Sequence, residues 1–470
     1  MDDLDATGLA DAIRAGDVSA REAVEWSLAR IDERNPALNA VTALRADAAL
    51  ADVERGLPDG PLTGVPFVVK DLGATVAGMP STNGSRLWRD NVAGDDSELV
   101  ARYRRAGAVV VGMTNSPELG RNASTEPVLH GATRNPHAPT HSPGGSSGGT
   151  AAAIASGMVP VGHGNDGGGS IRIPASMCGL VGLKPSRMRT PSRPRLASFA
   201  YPLAVNHVLA RTVRDSALLL DVGAGPVAGD PYVAPPPARP YVDEVGAPVE
   251  RLRVALQTAM PNGDRSDDAC VEAATATARL LSELGHDVTD DAAPAYPLDA
   301  LTAVMSVCMI APMTAEIDAR LAELGRPLAD DDLEAFTRVL YDIGRSLDAG
   351  AVVRALQQLE RAGQVIGGFF VDHDLLVTPT VARTVPRLGV LDTTVPDSMY
   401  ANAAAYSAMT SPFNATGQPA VSLPMAVDGD GLPVGVQLVA AYGREDLLLR
   451  VAAQLEAARP WPTAPVWRPD

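Results

Sequence analysis

Apolar and polar positions alternate along the chain in two rhythms. Ser19-Ala-Arg-Glu22 is a capping box, in which a hydroxyl and a carboxylate each satisfy an orphan amide, and Val24, Leu28 and Ile31 follow at helical spacing. Residues 64–71, GVPFVVKD, are a short apolar run that predicts a buried strand ending at Lys70. Residues 97–106 predict a helix and 108–113 a strand; 151–157 predict a helix and 159–164 a strand. This alternation predicts an α/β fold, a mixed and mostly parallel β-sheet covered on both faces by α-helices. Ligands in such sheets sit at the carboxyl ends of the strands, where Lys70 falls.

Residues 225–248 are proline-rich and predict an extended surface crossing. A strand at 251–257, a helix at 267–284 and a strand near His286 follow, and 296–370 read as mostly helical. Strands are predicted at 374–380, 420–427 and 433–440, the last two joined by the turn Asp428-Gly-Asp-Gly431, and a final amphipathic helix begins near Arg444. No internal repeat is present. The expected organisation is one domain over 1–470, with a core at about 60–215, a variable helical region at about 290–370, and C-terminal strands and helix at 371–460.

Composition narrows the function classes. Hydrophobic residues make up 46% and charged residues 20%, which fits a folded chain with a large core. The net charge of −17 disfavours nucleic acid as a partner. Cys178, Cys270 and Cys308 are too scattered for a disulfide framework and suit a reducing compartment. The first residues lack a basic segment followed by an apolar one, and no apolar run reaches the ~18 residues of a membrane span. The expectation is a cytoplasmic protein that engages no membrane. Of 39 basic residues only two are lysines, Lys70 and Lys184. In a chain that otherwise uses arginine, both positions ask for a reason.

Two glycine-rich segments stand out, Ser142–Gly149 (SPGGSSGG) and Gly164–Pro174 (GNDGGGSIRIP). Such density is destabilising unless the backbone must turn tightly or approach a ligand. Gly162–Gly167 formally matches GxGxxG, but no acidic residue lies between Gly167 and Arg214 to bind a ribose, so a dinucleotide site is rejected. GGSSGGT lacks the GK[ST] of a phosphate loop. Gly144–Gly148 matches GxSxG, which would make Ser146 an α/β-hydrolase nucleophile served by a downstream histidine. His207, His286 and His373 are the candidates, and each reads as a surface or strand-end histidine. No HExxH or clustered His/Asp spacing is present, so no metal and no cofactor are expected.

The whole of 142–186, SPGGSSGGTAAAIASGMVPVGHGNDGGGSIRIPASMCGLVGLKPS, resembles the signature of the amidase signature family. GVPFVVKD is similar to that family's lysine segment. Lys70 precedes Ser146 by 76 positions and Ser170 follows it by 24, in agreement with the family. The similarity runs from about residue 5 to 460. It implies a single-domain α/β/α fold around a mixed sheet, and amide hydrolysis by a Ser–cis-Ser–Lys triad through an acyl-enzyme.

Carried over residue by residue, the resemblance makes Ser170 the nucleophile and Ser146 the bridge to Lys70, with a cis bond between Gly145 and Ser146. Lys70 is then the general base, and so must be neutral at working pH; an arginine cannot deprotonate. The amides of Gly167, Gly168, Gly169 and Ser170 would form the oxyanion hole. Asp166 and Arg172 are expected to pair and fix the glycine loop. Ser147 is expected to cap the following helix, Lys184 to donate three hydrogen bonds to loop carbonyls, and Cys178 to be core.

Asn165, Gly167 and Ile173 depart from the family's usual residues. HGND…GSIRIPAS…CGLVGLKPSR is instead similar to the branch with 6-aminohexanoate cyclic-dimer hydrolases, whose neighbours include aryl-amide and urethane hydrolases; residues 410–424 also resemble it. Around the substrate the resemblance suggests Asn122, Thr125, Met305, Cys308, Phe413 and Asn414. The expected partner is a small amide or carbamate, without nucleic acid or membrane, for a monomer or homodimer. Two other readings stay open, an esterase of α/β-hydrolase type using Ser146 and an amidotransferase-like subunit that needs partner chains.

Overall fold

The computed structural model describes residues 1–192 and 202–468. Ser19 accepts from the Glu22 amide and Glu22 accepts from the Ser19 amide, so the capping box opens the helix Ala20–Leu38 as its residues predict. Among the described residues eleven strands form one sheet. They are β1 Val41–Leu44, β2 Pro66–Lys70, β3 Val109–Thr114, β4 Val161–Asp166, β5 Val181–Lys184, β6 Val205–Ala210, β7 Arg253–Leu256, β8 Asp287–Thr289, β9 Leu375–Pro379, β10 Ala420–Val427 and β11 Pro433–Val439. Their order across the sheet is β1-β3-β2-β4-β6-β5-β10-β11-β9-β7-β8.

The sheet is mixed, but it is less parallel than the alternation of helices and strands predicts. Among the described residues four neighbouring pairs are parallel and six are antiparallel. Pairs β2–β3 and β2–β4 follow the prediction, because a helix lies between their strands in the chain. The hairpin β10–β11 cannot, since the tight turn at Asp428–Gly431 forces antiparallel pairing. Strand β6 enters between β4 and β5 and runs against both.

Both faces are covered. In β2, Phe67 and Val69 join one apolar cluster with Leu99, Val100 and Tyr103 of the helix Glu98–Arg105. Val68 points the other way, toward Val24, Ile31 and Leu38 of the helix Ala20–Leu38. The strand period of two thus feeds two cores. In the other half, Leu376 and Ala255 face Val304, Cys308 and Ile366 of the helices Leu298–Leu324 and Ala349–Asp372. The helix Leu298–Leu324 is long and apolar enough to span a membrane by length and composition. Its buried residues Val304, Ile310, Met313 and Ile317 pack inside the fold.

The consequence for function lies at one edge of three adjacent strands. Lys70, Thr114 and Asp166 are the last residues of β2, β3 and β4. The glycine-rich segments fold over that edge.

Candidate active site

Strand β2 delivers Lys70 into the interior, where its side chain is fully buried. Its Nζ lies 2.6 Å from Ser146 Oγ, 3.1 Å from Ser147 Oγ and 2.5 Å from Asn165 Oδ1. Burial drives the ammonium well below the ordinary lysine range, and the nearby charge of Asp166 only partly opposes this. Burial at Lys70 therefore favours the uncharged form.

The peptide bond Gly145–Ser146 is cis. Gly145 has no freedom to carry a side chain, because a β-carbon there would stand 2.7 Å from the carbonyl oxygens of Asn122 and Ser124. Those residues hold the serine loop from behind. Thr125 Oγ1 donates to the Gly144 carbonyl at 2.8 Å, and Asn122 Nδ2 donates to the Leu391 carbonyl at 2.7 Å. Of the residues expected around the substrate, Thr125 thus supports the serine loop with its side chain, and Asn122 ties its own segment to Leu391. Ser147 also departs from expectation. It occupies the N-cap position of the helix Gly148–Ala155 but forms no capping bond. Its hydroxyl turns inward to Lys70 and to the Asn165 carbonyl at 3.3 Å.

The second loop hangs from Asp166. One carboxylate oxygen accepts from the Gly169 amide at 2.7 Å, the other from the Ile171 amide at 3.2 Å. Asp166 pairs with Arg172 through two bonds of 2.9 Å, both side chains fully buried. Burial opposes the charge of Asp166, but Arg172 and the Asn414 amide outweigh it and hold the carboxyl below the usual carboxylate range. The other Arg172 N–H groups reach the Thr410 carbonyl, Gln437 Oε1 and Asn414 Oδ1 at 2.9, 2.7 and 2.5 Å. All five donors of the guanidinium have an acceptor, so the buried cation is fully satisfied.

Gly167, Gly168 and Ser170 are partly exposed within an otherwise buried stretch. The Ser170 carbonyl accepts from the Ser147 amide at 3.2 Å, which ties the two loops together. Among the four amides expected to bind an oxyanion, that of Gly169 is already donated to Asp166, which leaves the other three.

The remaining expected residues separate. Met305 reaches the loop, with its Cε 3.6 Å from where a Gly168 β-carbon would stand. Cys308 and Phe413 lie buried together in the apolar cluster behind it. Asn414 is not free to line a pocket: besides Arg172 it serves Asp166, donating to its carboxylate and carbonyl at 2.9 Å. Lys184 is buried and, among the described residues, gives the Pro185 carbonyl one bond of 2.9 Å, rather than three bonds to loop carbonyls. Cys178 is core as expected, and burial pushes its thiol up. His207 is not at the surface but buried in β6 beside Ser216 Oγ at 3.2 Å. His286 contacts Gln454 and His373 stacks on Phe369, so none of the three histidines serves Ser146.

Gln437 and Thr410 were absent from the sequence expectations. A signal existed for Gln437, a single polar residue within the apolar strand β11. Asn165 stood out only as a departure from the family's usual residue.

Comparison with known proteins gives the family of the chain. The Amidase family profile matches residues 22–449. A 6-aminohexanoate-cyclic-dimer hydrolase of Paenarthrobacter ureafaciens is 40% identical over 475 residues, covering 97% of this chain and 95% of that relative. A solved structure of 6-aminohexanoate cyclic dimer hydrolase superposes with a TM-score of 0.93 at 39% identity, covering 98% of each chain. A bacterial aryl acylamidase of the amidase signature enzymes gives 0.88 at 28% identity, over 97% of this chain and 96% of its own. The chain belongs to the amidase family and is a hydrolase of carbon–nitrogen bonds other than peptide bonds.

Proposed function

We propose that this enzyme hydrolyses small uncharged amides, cyclic amides among them and carbamates as a neighbouring class, through an acyl-enzyme on Ser170. The observation that carries this is a fully buried lysine whose Nζ stands 2.6 Å from Ser146 Oγ, in the loop tied to Ser170. Lys70 takes the Ser146 proton as Ser146 takes that of Ser170, whose oxygen then bonds to the amide carbon. The amides of Gly167, Gly168 and Ser170 receive the charge that forms on the carbonyl oxygen. The proton returns through Ser146 to the leaving nitrogen as the C–N bond breaks. Water then repeats the sequence on the ester, releasing the acid and restoring Ser170. No metal or cofactor enters these steps. The reading needs no second chain, so the enzyme works as a monomer or homodimer.

The likeness to 6-aminohexanoate-cyclic-dimer hydrolases supports a cyclic oligoamide as the first substrate to try. Met305 and the helix that carries it supply apolar surface beside the glycine loop. The test is turnover of a nitroanilide, and of cyclic amides and carbamates, by the purified chain and by Ser170→Ala. Loss of at least about 10³-fold in the variant is expected. Wild-type turnover by Ser170→Ala would overturn the reading.

A further inference from the structure

We propose that Asn165 and Ser147 are positioning residues that turn the lone pair of Lys70 onto Ser146. This rests on the Ser170–Ser146–Lys70 reading above. Three oxygens surround Nζ, and their hydrogen-bond roles can be counted. Asn165 Nδ2 donates to the Leu72 carbonyl at 3.2 Å, so its Oδ1 is the atom that faces Lys70, and it can only accept. A β-carbon on Gly73 would stand 2.3 Å from that Nδ2, so the glycine leaves the room the amide occupies. Ser147 directs its one proton to the Asn165 carbonyl and must therefore accept from Lys70. A neutral amine has two N–H groups and one lone pair. Asn165 and Ser147 take both N–H groups, and the lone pair is left for the Ser146 proton.

The same three oxygens also satisfy the ammonium. When Ser146 gives up its proton, an O–H bond breaks, an N–H bond forms, and Nζ then has three donors for three acceptors. Proton transfer therefore requires no reorientation of the lysine. Ser146 is fixed as donor toward Lys70 and, having lost that proton, as acceptor toward Ser170.

The charged groups around Lys70 are few. On β4 they are Asp166, paired with Arg172, and His163, which burial lowers to about 3 and so keeps neutral. Next in the chain is Asp71, which accepts from the Thr82 amide at 2.8 Å and lies 3.9 Å from His130. Strand β3 and the helix Gly148–Ala155 carry none.

The test is the pH dependence of kcat/KM on a nitroanilide, whose acid limb reports loss of the Lys70 proton. Asn165→Asp places an anion where Oδ1 now sits, 2.5 Å from Nζ, favours the ammonium, and is expected to move the limb up by at least about one pH unit. Ser147→Ala removes one acceptor of the ammonium and is expected to move the limb down by less. For Ser147→Ala, which adds no charge, a purely structural role would lower activity at every pH and leave the limb in place. If Lys70→Ala abolishes turnover while both limbs stay at the wild-type pH, the positioning proposal is overturned and the triad stands. If Lys70→Ala retains turnover, the triad itself fails. Should Asn165→Asp not fold, the direction of the Ser147→Ala limb decides.

Discussion

The surroundings of Lys70 and Lys184 invite comparison, since both side chains are fully buried at strand ends. Burial is the largest influence on each, and it drives both ammonium groups well below the ordinary range. The neighbourhoods differ in sign and in partners. Lys70 feels Asp166, which partly restores its proton, whereas at Lys184 the cation Arg172 weighs more than Asp166. Lys70 has three side-chain oxygens around Nζ, two of them from serines of one loop. Lys184 meets a backbone carbonyl of its own neighbour. Desolvation is thus common to both lysines, and the proposed role of Lys70 as a base rests on the serine oxygens that surround it.

The largest effect should come from fixing a permanent charge at the site of Lys70. Lys70→Arg keeps a cation that cannot deprotonate, and kcat/KM on a nitroanilide should fall about 10²–10⁴-fold, as far as in Lys70→Ala. Turnover within a few-fold of wild type would erase the distinction drawn here. Next, Arg172→Leu removes the cation that bears on Lys184 and leaves Asp166 buried without its ion partner. Denaturant unfolding should show a loss of about 3–5 kcal/mol. In protein that still folds, the freed charge of Asp166 should raise the acid limb governed by Lys70, because a nearby anion favours the ammonium. The smallest effect belongs to Lys184→Arg. A bulkier, permanently charged group in that site should lower stability by about 1–3 kcal/mol while kcat stays within about threefold. A loss of kcat as large as that of Lys70→Arg would place Lys184 in the chemistry.

Much of this was legible in the residues themselves. Lys70, Ser146 and Ser170 were singled out by the family resemblance that the lysine segment and the two glycine-rich segments carry, and the Asp166–Arg172 pair spans one tight loop. What escaped is held by distance in sequence. Nothing within the segment around Arg172 shows that Thr410, Asn414 and Gln437 will close on it. Ser147 was read from its place before a helix, where a serine ordinarily caps; the demand of a buried amine outcompeted the helix end. Antiparallel β6 escaped for a similar reason, because its partners are chosen by the whole sheet and not by its own apolar pattern.

The five bonds of Arg172 have a consequence for how the enzyme is made. Three of its acceptors lie more than 230 positions downstream. A chain emerging from the ribosome carries its glycine loop long before the segment that completes the guanidinium's shell. A chain that ends before Thr410 therefore holds all three residues of the proposed triad but lacks three acceptors that complete the shell of Arg172.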